Sequence, residues 1–243
     1  MPEVVSIYRK SRRVNLCQQV LDDLLFTIQD DFAKYKKRSP VIRLKEVFDS
    51  IAKQSGGKFM FSRIESNAKQ VQLKNALELL IQAGLAHKAY HTAANGIPLG
   101  AEINTKTFKV ILFDIGLHQR VLNLNIAEFA LAKDFAAINK GQITEVFVGM
   151  ELIKNFPPNM KPSLYYWHRL NSSAEVDYVI QDNHEIIPIE VKSGTSGQMQ
   201  SMHLFMKEKK NKRGYRISLE NFSKYNGIEV IPLYATHLIV PNR

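Results

Sequence analysis

The chain has 243 residues, 45% hydrophobic and 23% charged, and its 33 Lys and Arg against 23 Asp and Glu give a formal charge of +10. This composition excludes global disorder, and the single cysteine, Cys17, excludes an intrachain disulfide and a Cys/His zinc site. There is no apolar run long enough to span a bilayer and no Gly-x-x-x-x-Gly-Lys-Ser/Thr loop, so we expect a cytoplasmic protein that engages no membrane and has no ATPase site in this chain.

The positive charge is clustered, which favours a polyanionic partner. Basic residues group at 9–13, 34–38 and 207–216. Clustered Lys and Arg neutralise phosphates and release their counterions, which is the usual basis of nucleic-acid binding. We therefore expect DNA as the partner, with an ordinary solvated surface as the alternative.

The first half of the chain has the pattern of three helices followed by a hairpin. The predicted helices span 14–37, 43–54 and 70–83, and the predicted strands span 85–91 and 106–114. This order is typical of a winged helix, with 70–83 as the recognition helix and 93–100 as the wing tip. Lys69 and Lys74 would then contact DNA phosphates. An ordinary three-helix packing unit is the alternative.

The second half of the chain predicts strands flanked by helices, which indicates a mixed α/β domain. Residues 115–140 are expected to be mainly helical. The further predicted helices span 144–154 and 200–210, and the predicted strands span 164–168, 175–181, 185–192, 216–218 and 229–233. The helix at 200–210 is basic, and its Lys207, Lys209 and Lys210 are predicted to bind nucleic acid.

The strands at 175–181 and 185–192 are expected to form a hairpin with one charged face. Side chains alternate between the two faces of a strand, so Glu175 and Asp177 lie opposite the face of Val176, Tyr178 and Ile180. On the second strand Glu190 and Lys192 share a face. A two-residue turn at Asn183-His184 would place Asp177 across from Glu190, and Glu175 across from Lys192.

Carboxylates facing each other across a strand pair repel, and a divalent cation would reverse the sign of that interaction. Mg²⁺ (or Mn²⁺) takes oxygen ligands, so Asp177 and Glu190 are predicted to hold a metal. Lys192 would orient water or stabilise charge on a phosphate. Asp followed by Glu-x-Lys is the pattern of PD-(D/E)xK nucleases. The alternative is a structural ion-pair cluster in a nuclease fold without catalysis.

A further acidic residue is expected from the helix at 144–154. Glu145 and Glu151 both lie there, but they are six residues apart and point in different directions. We prefer Glu145 as the additional metal-supporting and catalytic residue, with a first-turn acid favoured by the helix dipole as the alternative. For Glu175, pairing with Lys192 across the hairpin is the favoured interpretation.

Several short stretches resemble a known family. They are Ala174–Asp177 with Ile187–Gly194, Phe113–Leu117, Thr144–Leu152 and Met1–Val5. Together they resemble the C-terminal domain of unknown function that follows the AAA-type ATPase module of many bacterial and archaeal proteins. The resemblance implies a winged-helix-like region followed by a restriction-endonuclease-like region, and an ATPase module, absent from this chain, as partner.

The residue patterns and the resemblance together predict an α+β protein. We expect a remnant of the join to an upstream domain at 1–13, a winged-helix-like unit at 14–120 and a restriction-endonuclease-like PD-(D/E)xK domain at 121–243. The expected function is a DNA-binding nuclease-fold module, either a Mg²⁺-dependent DNA phosphodiesterase or a DNA-binding derivative of one. The alternative is a non-catalytic regulatory or protein-docking module of an ATPase.

Overall fold

The computed structural model describes residues 1–124, 140–195 and 197–239. It contains helices and an eight-stranded mixed sheet, so the expected α+β class is confirmed. The chain divides into two compact units, which comprise 1–87 with 110–139 and 88–109 with 140–243. No helix within the described ranges is long and apolar enough to cross a membrane.

The first unit is helical. Its helices are α1 (Pro2–Ser11), α2 (Val14–Asp31), α3 (Val41–Gln54), α4 (Gln70–Gln82) and α5 (Ile115–Val121). The helices predicted at 43–54 and 70–83 are confirmed to within two residues. The helix predicted over 14–37 is shorter, because a 3₁₀ turn begins at Phe32, whose buried ring packs edge-to-face on Phe48 at 5.7 Å. Residues 125–139, part of the expected helical stretch, lie outside the described residues.

The start of α5 explains the Phe113–Leu117 motif. The Asp114 Oδ1 atom accepts a hydrogen bond from the Leu117 backbone N–H at 3.0 Å and so caps the helix. A Cβ atom on Gly116 would lie 3.0 Å from Leu21 Cδ2, so glycine permits the close approach of α2. Leu117 is fully buried.

The second unit is built on the sheet. The strands are β1 (Ala86–Thr92), β2 (Ile103–Leu112), β3 (Leu164–His168), β4 (Glu175–Asp182), β5 (Glu185–Val191), β6 (Gly214–Ser218), β7 (Ser223–Tyr225) and β8 (Ile228–Pro232). Their order in the sheet is β2-β1-β3-β4-β5-β6-β8-β7. The helices are α6 (Lys140–Lys154), which packs on β3 and β5, and α7 (Gln200–Glu208), which packs on β4 and β5.

The β1–β2 hairpin, expected as the wing, extends this sheet. Ala89 pairs with Leu164 of β3 in a parallel arrangement, and residues 88–109 belong to the second unit. The winged-helix arrangement and the nuclease-like arrangement both stay predictions. The sheet brings β2, β3, β4 and β5 into one layer, and charged residues on these strands form the candidate site described next.

Candidate metal centre and cationic pocket

The β4–β5 hairpin has the register expected from the sequence. Asp182 pairs with Glu185 and Tyr178 with Ile189, so the turn consists of Asn183 and His184. Asn183 adopts a φ of 53°, which suits the left-handed backbone of a tight hairpin turn. If this register is extended by one residue beyond the pair of Tyr178 and Ile189, Asp177 lies across from Glu190. The charged side chains of the two strands are therefore neighbours at the open end of the hairpin.

A β-bulge in β4 lies at Asp177. Tyr165 of β3 pairs with Val179 and Trp167 with Val176, so β4 holds one more residue than β3 between these pairs. A bulge re-aims side chains that would otherwise alternate strictly. The Asp177 Oδ2 atom accepts a hydrogen bond from the Val191 backbone N–H at 2.8 Å. Asp177 is thereby tied to β5 beside Glu190.

Glu190 and Lys192 form the second half of this arrangement. The Lys192 Nζ atom donates to Glu190 Oε1 at 2.6 Å, whereas Glu190 Oε2 is buried and has no hydrogen-bond partner among the described residues. Burial raises the pKa of Glu190 to about 7, the charge of Asp177 adds to this rise, and Lys192 opposes it. Desolvation likewise raises the pKa of Asp177. A buried carboxylate oxygen without a donor is costly unless a cation or proton meets it.

The most deeply buried charge of the site is one that the sequence analysis did not single out. The Lys109 side chain on β2 is 1% exposed, and its Nζ atom lies 2.7 Å from Glu145 Oε1 and 2.6 Å from Glu175 Oε1. The ammonium also sits 5.0 Å from the centre of the Tyr166 ring. Burial alone would lower the pKa of Lys109, but Glu145, Glu175 and Asp177 outweigh it and hold that pKa well above its ordinary value.

The structure corrects the expected partner of Glu175. Pairing of Glu175 with Lys192 across the hairpin is wrong, because β5 ends at Val191 and the Lys192 ammonium turns to Glu190 instead. Glu175 pairs with Lys109, a residue from a strand distant in sequence.

Glu145 reaches the site from α6. Its backbone carbonyl accepts a hydrogen bond from the Tyr178 hydroxyl at 3.0 Å. Burial pushes the pKa of Glu145 upward, whereas the Lys109 ammonium at 2.7 Å favours the ionised carboxylate. Glu151, the rejected candidate, pairs with Lys154 on the same helix. The structure thus brings Asp177, Glu190, Lys192 and Glu145 together.

Arg216 on β6, a neighbour of Glu190 in register, holds the loop after Lys192. Its guanidinium donates to the carbonyls of Thr195 and Gly197, each at 3.1 Å, and the side chain is almost fully buried. A Cβ atom on Gly197 would lie 3.1 Å from Lys192 Cδ, and the φ of Gly197 is 137°. The loop therefore packs on the Lys192 side chain and limits the positions of its ammonium.

A cationic pocket of about 420 Å³ lies elsewhere in the second unit. Its basic lining residues are Lys209, Lys210, Lys212 and Arg213. Within the described ranges, Lys210 and Lys212 have no carboxylate partner, whereas Lys209 donates to Asn95 Oδ1 at 2.6 Å. The predicted residues Lys209 and Lys210 thus lie together in a concave surface.

The other predicted DNA contacts are placed separately. Lys207 is exposed on α7 but does not line the pocket. Lys69 and Lys74 belong to the first unit, where Lys69 precedes α4 and the Lys74 ammonium lies 5.9 Å from the centre of the Phe61 ring.

Sequence reasoning missed Lys109 and Arg216, although each carried a weak signal. Lys109 is the one charge in the run Phe108–Leu112, and Arg216 lies between Tyr215 and Ile217 on a short strand. A basic residue in an otherwise apolar buried strand requires an acidic partner or a carbonyl. That rule predicts a partner but does not identify it.

The protein thus has an α+β fold, and its mixed sheet carries a cluster of carboxylates and lysines. Within residues 1–124, 140–195 and 197–239, no group of three or more His, Cys, Asp or Glu has the geometry to hold a metal ion. Two carboxylates with waters and a substrate phosphate are the usual set for Mg²⁺. Asp177 and Glu190, with its unpartnered oxygen, fit that smaller set.

The chain belongs to the family described as domain of unknown function DUF8612, whose match covers residues 1–128. Residues 140–236 match a second family, described as domain of unknown function DUF4143. No curated protein and no solved structure matches the chain. Both matches concern domains of unknown function, so the chemistry has to be argued from the site itself.

Proposed function

We propose that this chain is a DNA-binding, nuclease-fold module of an AAA-type ATPase and that it acts as a Mg²⁺-dependent DNA phosphodiesterase. The observation that carries the proposal is the buried Glu190 Oε2 atom, which lacks a hydrogen-bond partner among the described residues and lies beside Asp177 and Lys192. The ATPase connection rests on the resemblance of residues 174–177 and 187–194 to the domain that follows such modules.

Each residue has a defined task in this proposal. Asp177, fixed by the Val191 N–H, and Glu190 would hold the metal, and Glu145 would support them from α6. A bound Mg²⁺ supplies Lewis-acid stabilisation of phosphate charge. Lys192, whose side chain is 25% exposed, is the cation that a phosphate can reach. Its ammonium would orient water or stabilise negative charge as it develops.

The cationic pocket supports DNA as the substrate. Lys209 and Lys210 line it, Lys207 is exposed near the end of the preceding helix α7, and Lys69 and Lys74 are the candidates in the first unit. Lysines without carboxylate partners can neutralise phosphates, which releases the counterions condensed on the DNA. The formal charge of +10 favours the same partner.

Metal-dependent cleavage of single-stranded, duplex and branched DNA tests the proposal. We expect cleavage with Mg²⁺ or Mn²⁺ that is lost in Asp177→Asn and Glu190→Gln. In Lys192→Ala we expect a loss of about a hundredfold or more in rate with metal binding retained. Glu151→Gln, on the same helix as Glu145 but paired with Lys154 outside the cluster, is the matched control and should cleave like the wild type.

A non-catalytic docking or regulatory module of an ATPase is the second candidate. The observation that favours it is Lys109, whose buried ammonium pairs with both Glu145 and Glu175. On this alternative the cluster is structural. Metal would then leave the thermal midpoint unchanged, and no DNA substrate would be cleaved. Thermal stabilisation by metal that disappears in Asp177→Asn would exclude this alternative for the site.

A further inference from the structure

We propose that Lys109 acts as a permanent internal cation that limits the acidic cluster to one divalent ion. Its ammonium fills the position between Glu145 and Glu175 that a second ion would otherwise take, which leaves only the position at Asp177 and Glu190. This inference rests on the proposed metal site. Glu145 then supports the metal site by holding the Lys109 ammonium, and Lys109 is a positioning residue.

The geometry around Lys109 is that of a small cation site. The two carboxylate oxygens lie 2.7 and 2.6 Å from Nζ. Ca²⁺ binds oxygen at about 2.3–2.6 Å and Mg²⁺ at about 2.0–2.1 Å. Shifts of up to about 0.4 Å for Ca²⁺, or about 0.5–0.7 Å for Mg²⁺, would let the same two oxygens close on a divalent ion. The ammonium stands where such an ion would stand.

The charges of the cluster also predict that it binds one divalent ion. When ionised, Glu145, Glu175, Asp177 and Glu190 carry four negative charges, which Lys109 and Lys192 reduce to a net charge of −2. One divalent ion neutralises that charge, whereas a second would leave an excess positive charge in a buried region. Without Lys109 the net negative charge of the cluster is larger, and the Glu145 and Glu175 oxygens that the ammonium held are available to a second ion.

The two lysines of the cluster differ in what they can touch. The Lys109 side chain is 1% exposed, so it cannot contact a substrate. The Lys192 side chain is 25% exposed and faces a different carboxylate. Lys109 therefore acts through Glu145 and Glu175, and its role is visible in metal binding before any chemistry takes place.

Counting bound Mn²⁺ by isothermal titration calorimetry on the full chain tests the inference. We expect one ion per chain in the wild type and two in Lys109→Met. Lys106→Met, an exposed residue on the same strand, is the matched control and should bind one ion. The double variant Lys109→Met with Glu175→Gln should return to one ion, because the new position has lost an oxygen ligand.

The outcomes separate this inference from the proposed function. One ion in both the wild type and Lys109→Met overturns the inference and leaves the phosphodiesterase proposal standing. No ion in the wild type overturns both proposals, because both require a divalent ion at Asp177 and Glu190. Two ions in the wild type overturn the inference.

Lys109→Met is expected to lose stability in the absence of metal, so its folding has its own readout. Circular dichroism should then show that Mn²⁺ raises its thermal midpoint by several degrees more than it raises that of the wild type. A variant that stays unfolded at every Mn²⁺ concentration would also overturn the inference, because the ion would then fail to replace the ammonium.

Discussion

Each unit buries an ionisable side chain, Lys109 in the second unit and His118 in the first, and the two are accommodated in opposite ways. In the second unit the buried Lys109 is paired with Glu145 and Glu175. In the first unit His118 is fully buried, neither ring nitrogen has a hydrogen-bond partner within the described ranges, and burial lowers its pKa to about 4. A charged lysine is stable in a core only when an opposite charge lies beside it, whereas a histidine can be buried in its neutral form.

His118 in the first unit and Glu190 in the second make stability depend on pH in opposite directions. A histidine whose pKa falls on folding destabilises the protein as the pH drops, because the unfolded chain takes up the proton more readily. A carboxyl whose pKa rises on folding, such as Glu190, destabilises the protein as the pH rises.

Removal of the Lys109 charge should have the largest effect on stability. Lys109→Met leaves Glu145 and Glu175 without their cation, and breaking a buried ion pair typically costs about 3–5 kcal/mol. Urea denaturation measures this loss. Lys109→Met combined with Glu145→Gln should recover part of it, because fewer buried charges stay unpaired. A loss in the single variant of less than about 1 kcal/mol would contradict a buried pair and match the effect of a surface pair.

Protonation of His118 should lower the free energy of unfolding at acid pH. Its pKa is about 4 in the folded protein and 6.5 in its ordinary state, so stability should fall as the pH drops from 6.5 towards 4. The full difference corresponds to about 3 kcal/mol. Urea denaturation at a series of pH values measures it. His118→Leu should flatten the curve in that window, and an unchanged slope would show that another group titrates there.

Glu190 should produce the opposite slope. Its folded pKa of about 7 exceeds the ordinary 4.5, so its contribution is fully present below pH 4.5 and is lost as the pH rises through 7. The effect should be similar in size to that of His118, because folding displaces the two pKa values by similar amounts. In metal-free buffer, Glu190→Gln should remove this fall in the free energy of unfolding with rising pH. Glu185→Gln, an exposed residue on the same strand, is the control and should keep it. A slope that survives in Glu190→Gln would assign it to another carboxyl.

The exposed lysines of the cationic pocket should barely affect stability. Reversing Lys210 and Lys212 to Glu should change the free energy of unfolding by about 0.5 kcal/mol or less, yet it should weaken DNA binding and reduce its dependence on salt. Gel shifts across a salt series measure both. Lys106→Glu with Lys161→Glu, exposed and outside the pocket, is the matched control. Equal weakening by both pairs would indicate net charge rather than the pocket.

The hairpin shows how far sequence reasoning reached. The two-residue turn and the alternation of Val176, Tyr178 and Ile180 with acidic residues predicted the observed register, because both signals are local. The bulge at Asp177 depends on pairing with β3 and left no local signal. The placement of Asp177 beside Glu190 was therefore predictable, whereas the reach of Tyr178 to the Glu145 carbonyl was not.

Lys109 and Arg216 mark where that reasoning stopped. A lysine on a strand ordinarily faces solvent, and only the pairing of distant strands brings Lys109 to Glu175. Arg216 was counted among the basic residues of a nucleic-acid surface, but it is 4% exposed and binds the carbonyls of Thr195 and Gly197. Charge count in a sequence does not separate cations that face solvent from those that hold the fold.

The parallel pairing of β1 with β3 has a consequence for how the chain folds. Strands β3, β4 and β5 follow one another in sequence and pair as a meander. The pairing of β1 with β3, in contrast, joins Ala89 to Leu164, which are far apart along the chain. Contacts between distant residues form late, because the loop between them has to close first. Lys109 arrives with the β1–β2 hairpin, so we expect the acidic hairpin to form while Glu175 still lacks its cation. Mutual repulsion of its carboxylates would then slow the early steps of folding, and salt should accelerate them.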